Sequence, residues 1–285
     1  MPLMEPRTRL SAPEPWTLKG RDFIWGARTY VMGIVNVTPD SFSDGGRVDP
    51  AAAIAHAERL LADGADLLDI GGESTRPGSV PVSAEEELAR ILPVIRALAA
   101  RGAALSVDTF KPEVAAQALE AGADLINDIS GLRDPEMLAV AARYGAPVIA
   151  MHMQGMPQTM QDDPRYDDVV SEVHAELVEA VRKARARGVK VMVDPGIGFG
   201  KTQEHNLTLL RHLDRLHVEG CPMLLGTSRK GFIGKLLDLP VNERVEGTMA
   251  TVALGVSQGV DVVRVHDVKE AVRTVKVADA IARRP

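Results

Sequence analysis

The sequence predicts a single-domain α/β chain: a (β/α)8 TIM barrel with a short N-terminal hairpin capping the barrel bottom. Three observations lead there. A glycine closes a helical stretch, an apolar β-rich run follows at once, and this join recurs seven times. The runs are apolar without strict alternation, as suits parallel strands buried on both faces. Between them lie stretches with apolar residues three and four apart, the period of a helix that buries one face. At 285 residues and 45% hydrophobic, the chain exceeds the roughly 100–200 residues usual for one domain, as barrels of this kind routinely do.

The first strand is YVMGIVNV (30–37). The other seven follow Gly64 (ADLLDI), Gly102 (AALSVD), Gly122 (ADLIND), Gly145 (APVIAMH), Gly188 (VKVMVD), Gly220 (CPMLLG) and Gly259 (VDVVRV). A glycine just past a helix takes the left-handed conformation that closes the last turn without a Cβ penalty. Asp49-Pro50 and Asp134-Pro135 each set an N-cap before a proline at the first helical position. Ser83 with Glu86 reads as a capping box ahead of ELARILPVIRALAA. Residues 167–187, 203–219 and 268–283 have helical period. The region 231–258 predicts a short helix, a break near Pro240 and a longer helix on which Met249, Val252, Ala253 and Val256 share one side, which reads either as buried core or as a subunit interface. Residues 17–30 read as the hairpin. Residues 1–16, with four prolines by Pro15, read as a flexible leader, so that 17–285 form the barrel domain. An open doubly wound sheet would need a glycine-rich phosphate turn after the first strand, where Asn36-Val37-Thr38-Pro39 stands instead.

Composition narrows the function classes. The net charge of −6 and the lack of a basic stripe argue against nucleic acid; the Arg-rich stretch 182–187 sits where a helix C-terminus favours cations. No run approaches the roughly 20 apolar residues of a membrane span. One cysteine, Cys221, makes no internal disulfide and fits a reducing compartment, so a cytoplasmic location is expected. Lying between Gly220 and Pro222 at the start of a strand run, it reads as structural.

A barrel's reactive groups lie at the C-terminal ends of its strands and in the loops after them. In chain order those ends carry Asn36, Asp69, Asp108, Asn127-Asp128, His152, Asp194, Ser228-Arg229-Lys230 and Arg264-Val265-His266-Asp267. Asp69, inside its run, reads equally as a ligand group or as a brace of the barrel mouth. His152, in the Met-rich MHMQGMPQTMQ (151–161), reads equally as core filler. Asp108, Asn127 and Asp194 suit the hydrogen-bonding edge of a flat heterocycle, where a carboxylate accepts from adjacent N–H groups. Lys230, Arg264 and His266 suit an anion, most simply phosphate; Arg264 and His266 alternate along one strand and project to the same side. The loops TPDSFSDGG (38–46), GGESTRPGS (71–79) and PGIGFGKT (195–202) have the composition of active-site covers. The third is not a P-loop, because three residues rather than four separate Gly196 and Gly200 ahead of the lysine. No cluster has zinc spacing. A Mg²⁺ held by one protein oxygen and substrate phosphates needs none, and Asn36 could supply that oxygen.

These segments together resemble the dihydropteroate synthases. The resemblance runs from about Tyr30 to the C-terminus and is carried by GIVNVTPDSFSDGG (33–46), DIGGESTRPG (69–78), SVDTFKPEVA (106–115), INDISG (126–131), MHMQG (151–155), DPGIGFGK (194–201), GTSRKGFIG (226–234) and VRVHDV (263–268). Each fragment alone is modest; eight in order on the expected strands are specific. The resemblance implies a transferase of folate biosynthesis that joins 7,8-dihydropterin-6-ylmethyl diphosphate to 4-aminobenzoate, with Mg²⁺ as cofactor and a homodimer as the assembly. It implies pterin contacts from Asp108, Asn127, Asp194 and Lys230, with Asp108, Asp194, Lys230 and Asp44 as the catalytic residues and further substrate contacts from Met151, Phe199 and Gly226. Arg264 would stack near the ring and, with His266 and Asn36, hold the diphosphate and its metal. Thr75 and Arg76 on the second loop and Asp44 on the first would complete the aminobenzoate pocket, with Asp44 helping to stabilise a cation when its loop closes.

One departure stands out. Many family members carry serine or another polar residue after the Ser-Arg-Lys triplet, where this chain has Gly231. Its backbone N–H, opening a predicted helix, remains for the aminobenzoate carboxylate. Two alternatives differ in chemistry. A pterin-binding methyltransferase barrel using methyl-tetrahydrofolate shares the pterin contacts but has no need of Asn36, Arg264 and His266 as an anion set. A non-catalytic pterin-binding protein would be marked by lost loop residues, whereas TPDSFSDGG and GESTRP are complete.

Overall fold

At each of the seven joins the glycine has φ between +62° and +109°, the left-handed region open to a residue without Cβ. A barrel strand starts three residues later in six cases and four residues later after Gly220, where Pro222 has no N–H to give a ladder. In this computed structural model the described residues are 12–38, 43–44, 47–74 and 79–283, with the backbone alone at 43–44 and 47–48.

The strands are β1 Tyr30–Asn36, β2 Leu67–Gly71, β3 Leu105–Asp108, β4 Leu125–Asp128, β5 Val148–Met151, β6 Val191–Asp194, β7 Leu224–Leu225 and β8 Val262–Val265. They pair in parallel in the order β6-β5-β4-β3-β2-β1-β8-β7. A parallel bridge from Val193 to Met223, with Val193 N donating to Pro222 O at 3.0 Å, closes the ring. Outside lie α1 Pro50–Ala62, α2 Ala84–Ala99, α3 Pro112–Glu120, α4 Pro135–Tyr144, α5 Val169–Arg185, α6 Gln203–Arg211, α7 Gly231–Leu237, α8 Val245–Ser257 and α9 Val268–Ala282. Among the described residues no helix is long and apolar enough to cross a membrane.

The caps follow the sequence with one change. Asp49 and Asp134 accept from the N–H groups of Ala51 and Glu136. Ser83 accepts from Glu86 N at 3.1 Å, but the Glu86 carboxylate turns to Arg90, so only half of the expected capping box forms. The reciprocal box is at α6, between Thr202 and His205. That helix stops at Arg211 and continues only as a 3-10 turn over Leu213–Arg215, short of the expected 203–219.

Alternation along the strands sorts the barrel into an inside and an outside. Tyr30, Met32, Leu67, Ala104, Leu125, Ile149, Met192, Leu224 and Val262 form an apolar interior floor with Trp16, Leu18, Phe23 and Trp25. The last four come from the hairpin Trp16–Leu18/Arg21–Phe23 and its sequel, whose Lys19-Gly20 corner has positive φ at both residues, as a tight two-residue turn demands. Trp16, placed in the leader by the sequence reading, is thus part of the floor and meets Trp25 edge-on at 5.2 Å. Residues of the other parity, such as Leu68, Ile70, Val107, Ile126 and Val193, pack with the helices in a separate cluster. Cys221 is buried there, as a structural residue would be.

Candidate active site

Beyond the floor the same inward parity continues toward the strands' C-terminal ends, where most of its residues are polar. Leu67 is followed by Asp69, Leu125 by Asn127, Ile149 by Met151, Met192 by Asp194, Leu224 by Gly226 and Val262 by Arg264; Ala104 leads through Ser106 to Asp108 and Met32 through Ile34 to Asn36. A polar mouth therefore stands on an apolar floor at the strands' C-terminal end.

Asp69 is wholly buried and accepts on Oδ2 from Arg264 Nε at 2.6 Å and from Asn127 Nδ2 at 2.9 Å. It braces the mouth, fixing Arg264 and turning the Asn127 amide so that its oxygen is the group still to be offered, while its own Oδ1 is buried without a hydrogen-bond partner among the described residues. Arg264 also donates through Nη2 to Asp108 Oδ2 at 2.7 Å. Asp108 Oδ1 is buried and has no hydrogen-bond partner among the described residues. Burial pushes the Asp108 carboxyl up to about 7, against the pull of Arg264, because a desolvated carboxylate is disfavoured. An orphaned acceptor of this kind invites a donor from a ligand.

Across the mouth, Asp194 accepts from Gly196 N at 2.7 Å, and burial raises its carboxyl too, with that N–H opposing. Gly226 lies beside it: a Cβ there would come 3.8 Å from Asp194 Oδ2 and 4.0 Å from Arg264 Cβ, so any side chain would enter the mouth. The Lys230 ammonium donates to Ile197 O and sits 3.9 Å from the Phe199 ring centroid, a cation–π contact. Burial lowers Lys230 to about 7, with Asp194 opposing. Phe199 packs with Phe110 against Met151, Met153 and Met160, which makes an apolar, adaptable wall suited to a flat ring.

The third side is more exposed. Asn36 ends β1 half-buried, and His266 stands half-buried beyond β8. Ser228 Oγ lies 2.9 Å from His266 Nδ1 and accepts from His266 N at 3.1 Å. Arg229 reaches Asp267 with Nε at 2.9 Å and with Nη2, so this arginine ties β7 to β8.

A family model described as pterin binding enzyme matches residues 32–266. The dihydropteroate synthase of Synechocystis sp. is 51% identical over 278 residues, 95% of this chain and 96% of the relative. The chain belongs to the dihydropteroate synthase family of pterin-binding enzymes. The Escherichia coli K12 dihydropteroate synthase is 47% identical over 256 residues, 88% of this chain and 91% of its own. Among solved structures, the Yersinia pestis dihydropteroate synthase with a sulfonamide drug complex superposes with a TM-score of 0.88 at 46% identity, covering 94% of this chain and 99% of that one. The Xanthomonas albilineans dihydropteroate synthase with 4-aminobenzoic acid gives 0.88 at 48% identity, covering 96% and 100%.

Two strand-end residues stay out of this pterin-binding barrel's mouth, and parity explains both. Asp128 and His152 each follow an inward residue and so face the helices. Asp128 accepts from the N–H groups of Ser130 and Leu132. His152 Nδ1 lies 2.8 Å from the Nζ of Lys201, which also donates to Phe199 O at 3.0 Å. The lysine that ends the P-loop-like run is thus a buried strut behind the Phe199 wall. The sequence reading missed Lys111, whose ammonium meets Glu73 at 2.5 Å and buried Glu87 at 2.6 Å and so anchors the chain leading into the second loop. Thr75 and Arg76 lie outside the described residues. Asp44 is described only as backbone, in the strand pair Ser43–Asp44/Arg47–Val48.

Proposed function

We infer that this protein is a dihydropteroate synthase, which condenses 7,8-dihydropterin-6-ylmethyl diphosphate with 4-aminobenzoate to give 7,8-dihydropteroate and pyrophosphate. The observation that carries the reading is the buried Asp108 Oδ1 without a partner among the described residues, set in a mouth whose other groups are Asn127, Asp194 and Lys230. The carboxylates accept from the N–H groups along the pterin edge, and the ammonium and amide complete its recognition. Met151, Phe199 and the open face of Gly226 receive the ring. As the C–O bond to diphosphate breaks, the departing oxygen keeps the electron pair and positive charge develops at the pterin methylene. Asp108 and Asp194 stabilise that charge from fixed positions, while Arg264 and His266 face the leaving anion. The arylamine nitrogen then bonds to the methylene and releases its proton. In this proposal Asp44, Thr75 and Arg76 shape the aminobenzoate pocket, with Asp44 adding to the stabilisation of the cation.

Magnesium belongs to the proposal in one form. Among the described residues no three His, Cys, Asp or Glu side chains are grouped to hold a metal, and the single neutral oxygen of Asn36 fits a hard ion that keeps most of its ligands from water and diphosphate. Bound there, the ion would neutralise charge on the departing diphosphate. The same reading places the protein in the cytoplasm as a homodimer. On the outer face of α8 and α9, Leu254, Val277 and Ile281 are 58%, 63% and 75% exposed; a second copy covers them in this proposal, and Val277→Glu with Ile281→Glu should give a monomer by sedimentation.

The deciding assay supplies the pterin diphosphate, 4-aminobenzoate and Mg²⁺ and follows pyrophosphate, with aminobenzoate omitted as control. Aminobenzoate-dependent release is expected. Absence of release would sink the synthase reading and favour the methyltransferase alternative.

A further inference from the structure

Ser228 takes no part in the proposed reaction, yet it is buried at the barrel rim and directs its hydroxyl to one residue. The His266 backbone N–H donates to Ser228 Oγ at 3.1 Å, and the same oxygen lies 2.9 Å from His266 Nδ1. A serine oxygen accepts twice and donates once. If Nδ1 carried the ring proton, two N–H groups would converge on Oγ, and the hydroxyl proton would point to no acceptor among the described residues. A buried donor without a partner is disfavoured. With the ring proton on Nε2, the backbone N–H donates to Oγ and Oγ–H donates to Nδ1, so the hydroxyl and Nδ1 satisfy each other. The flanking residues keep this geometry from drifting. Arg229, next along the chain, holds Asp267, next to His266, through two guanidinium nitrogens. The backbone of Arg229 is itself pinned, its N–H donating to Thr248 Oγ1 at 3.0 Å and its carbonyl accepting from Arg244 Nη1 at 3.0 Å.

We propose that Ser228 is a positioning residue that holds His266 as its Nε2–H tautomer, so that the ring presents a donor rather than a lone pair to the diphosphate. This rests on the reading of His266 as a diphosphate contact. The role matches what phosphate chemistry needs: a neutral imidazole whose lone pair faced a phosphate oxygen would be repelled, whereas a fixed N–H gains strength as charge builds on the departing oxygen.

The full-length protein labelled with ¹⁵N at histidine, at pH about 8.5 and so above the ordinary imidazole range near 6.5, reports the tautomer directly by two-bond nitrogen–proton correlation. His266 is expected as Nε2–H, and a wild-type spectrum showing Nδ1–H overturns the proposal outright. Ser228→Ala is expected to move the ring toward Nδ1–H or a mixture and to raise KM for the pterin diphosphate about tenfold. Calorimetric affinity for the pterin ring lacking diphosphate should not change, and Ser228→Thr should restore both properties. An unchanged tautomer in Ser228→Ala also overturns the proposal. A shifted tautomer with an unchanged KM refutes the contact between His266 and diphosphate instead, so the two failures are told apart.

Discussion

The acidic wall and the donor rim of the mouth are built differently. On the wall, Asp69, Asp108 and Asp194 belong to strands β2, β3 and β6, and burial drives the Asp108 and Asp194 carboxyls upward. On the rim, Ser228, Arg229 and His266 follow the ends of β7 and β8, half-exposed or just under the surface, and are fixed by side-chain bonds between neighbouring strand ends. The wall is preorganised by the barrel itself, and its groups carry the cost of desolvation until a ligand arrives. The rim is preorganised by pairwise ties, and its groups stay partly hydrated. Substitutions on the wall should therefore act on pterin binding and chemistry together, and those on the rim on the diphosphate alone.

The largest expected break is Asp108→Asn, which keeps the shape but presents an amide where charge develops: pyrophosphate release should fall about 10³-fold, the scale of losing a preorganised electrostatic group. Near-normal turnover would mean that the wall does not stabilise the transition state. Next is Asp69→Ala, which leaves the Arg264 guanidinium to Asp108 alone and frees the Asn127 amide; breaking one arm of this buried network should cost about 3 kcal/mol in denaturant unfolding, the low end for a buried pair because one partner remains. A loss under about 1 kcal/mol would mean that the barrel, not the ion pair, sets Arg264.

The pH dependence sharpens the comparison, because the wall alone should produce opposite slopes. Asp108 is raised to about 7 in the folded protein from an ordinary unfolded value of about 3.9. Between those values the folded state binds more protons, so this group's burial cost is relieved as pH falls from 7 toward 4 and stability rises. Pterin affinity should move the other way, weakening by up to about tenfold per unit below pH 7 as the acceptor is protonated. Titration calorimetry on wild type and Asp108→Asn checks this: the acidic limb should become shallower in the variant, with Asp194, also raised by burial, keeping its own share. The smallest expected effect is at Gly231, where an added Cβ would meet nothing within 4 Å. Gly231→Ser should fit without loss of stability and lower KM for aminobenzoate by less than about threefold.

The features legible in the sequence were those written locally. The helix-closing glycines marked where strands begin, and the strand ends put Asn127, Asp194 and Arg264 on one rim, with alternation used only for Arg264 and His266. The same alternation, counted from Ile149 and Met151, would have turned His152 outward, and from Asn127 would have turned Asp128 away. Asp69 stayed open between ligand and brace because its defining partner, Arg264, lies 195 residues along the chain. Lys111, Glu73 and Glu87 come from three segments with no spacing in common, so no periodicity could announce their ion triad. Ser228 read as one third of a triplet; only the geometry separates its hydroxyl, bound to His266, from the arginine that ties strands and the lysine that sits over the Phe199 ring.

The barrel floor has a consequence for how the chain assembles. It joins Trp16 near the start to Val262 near the end and draws residues from seven of the barrel strands and from Ala104 at the entry to the eighth, β3, while Asp261 accepts from Gly26 N on one oxygen and from Met223 N on the other. The plug made first can seat only after the last strand has emerged, which gives the chain a late, non-local step of the kind that slows folding. Both tryptophans of the sequence, Trp16 and Trp25, sit in that plug, so intrinsic fluorescence during refolding follows ring closure at the end of the barrel opposite the chemistry.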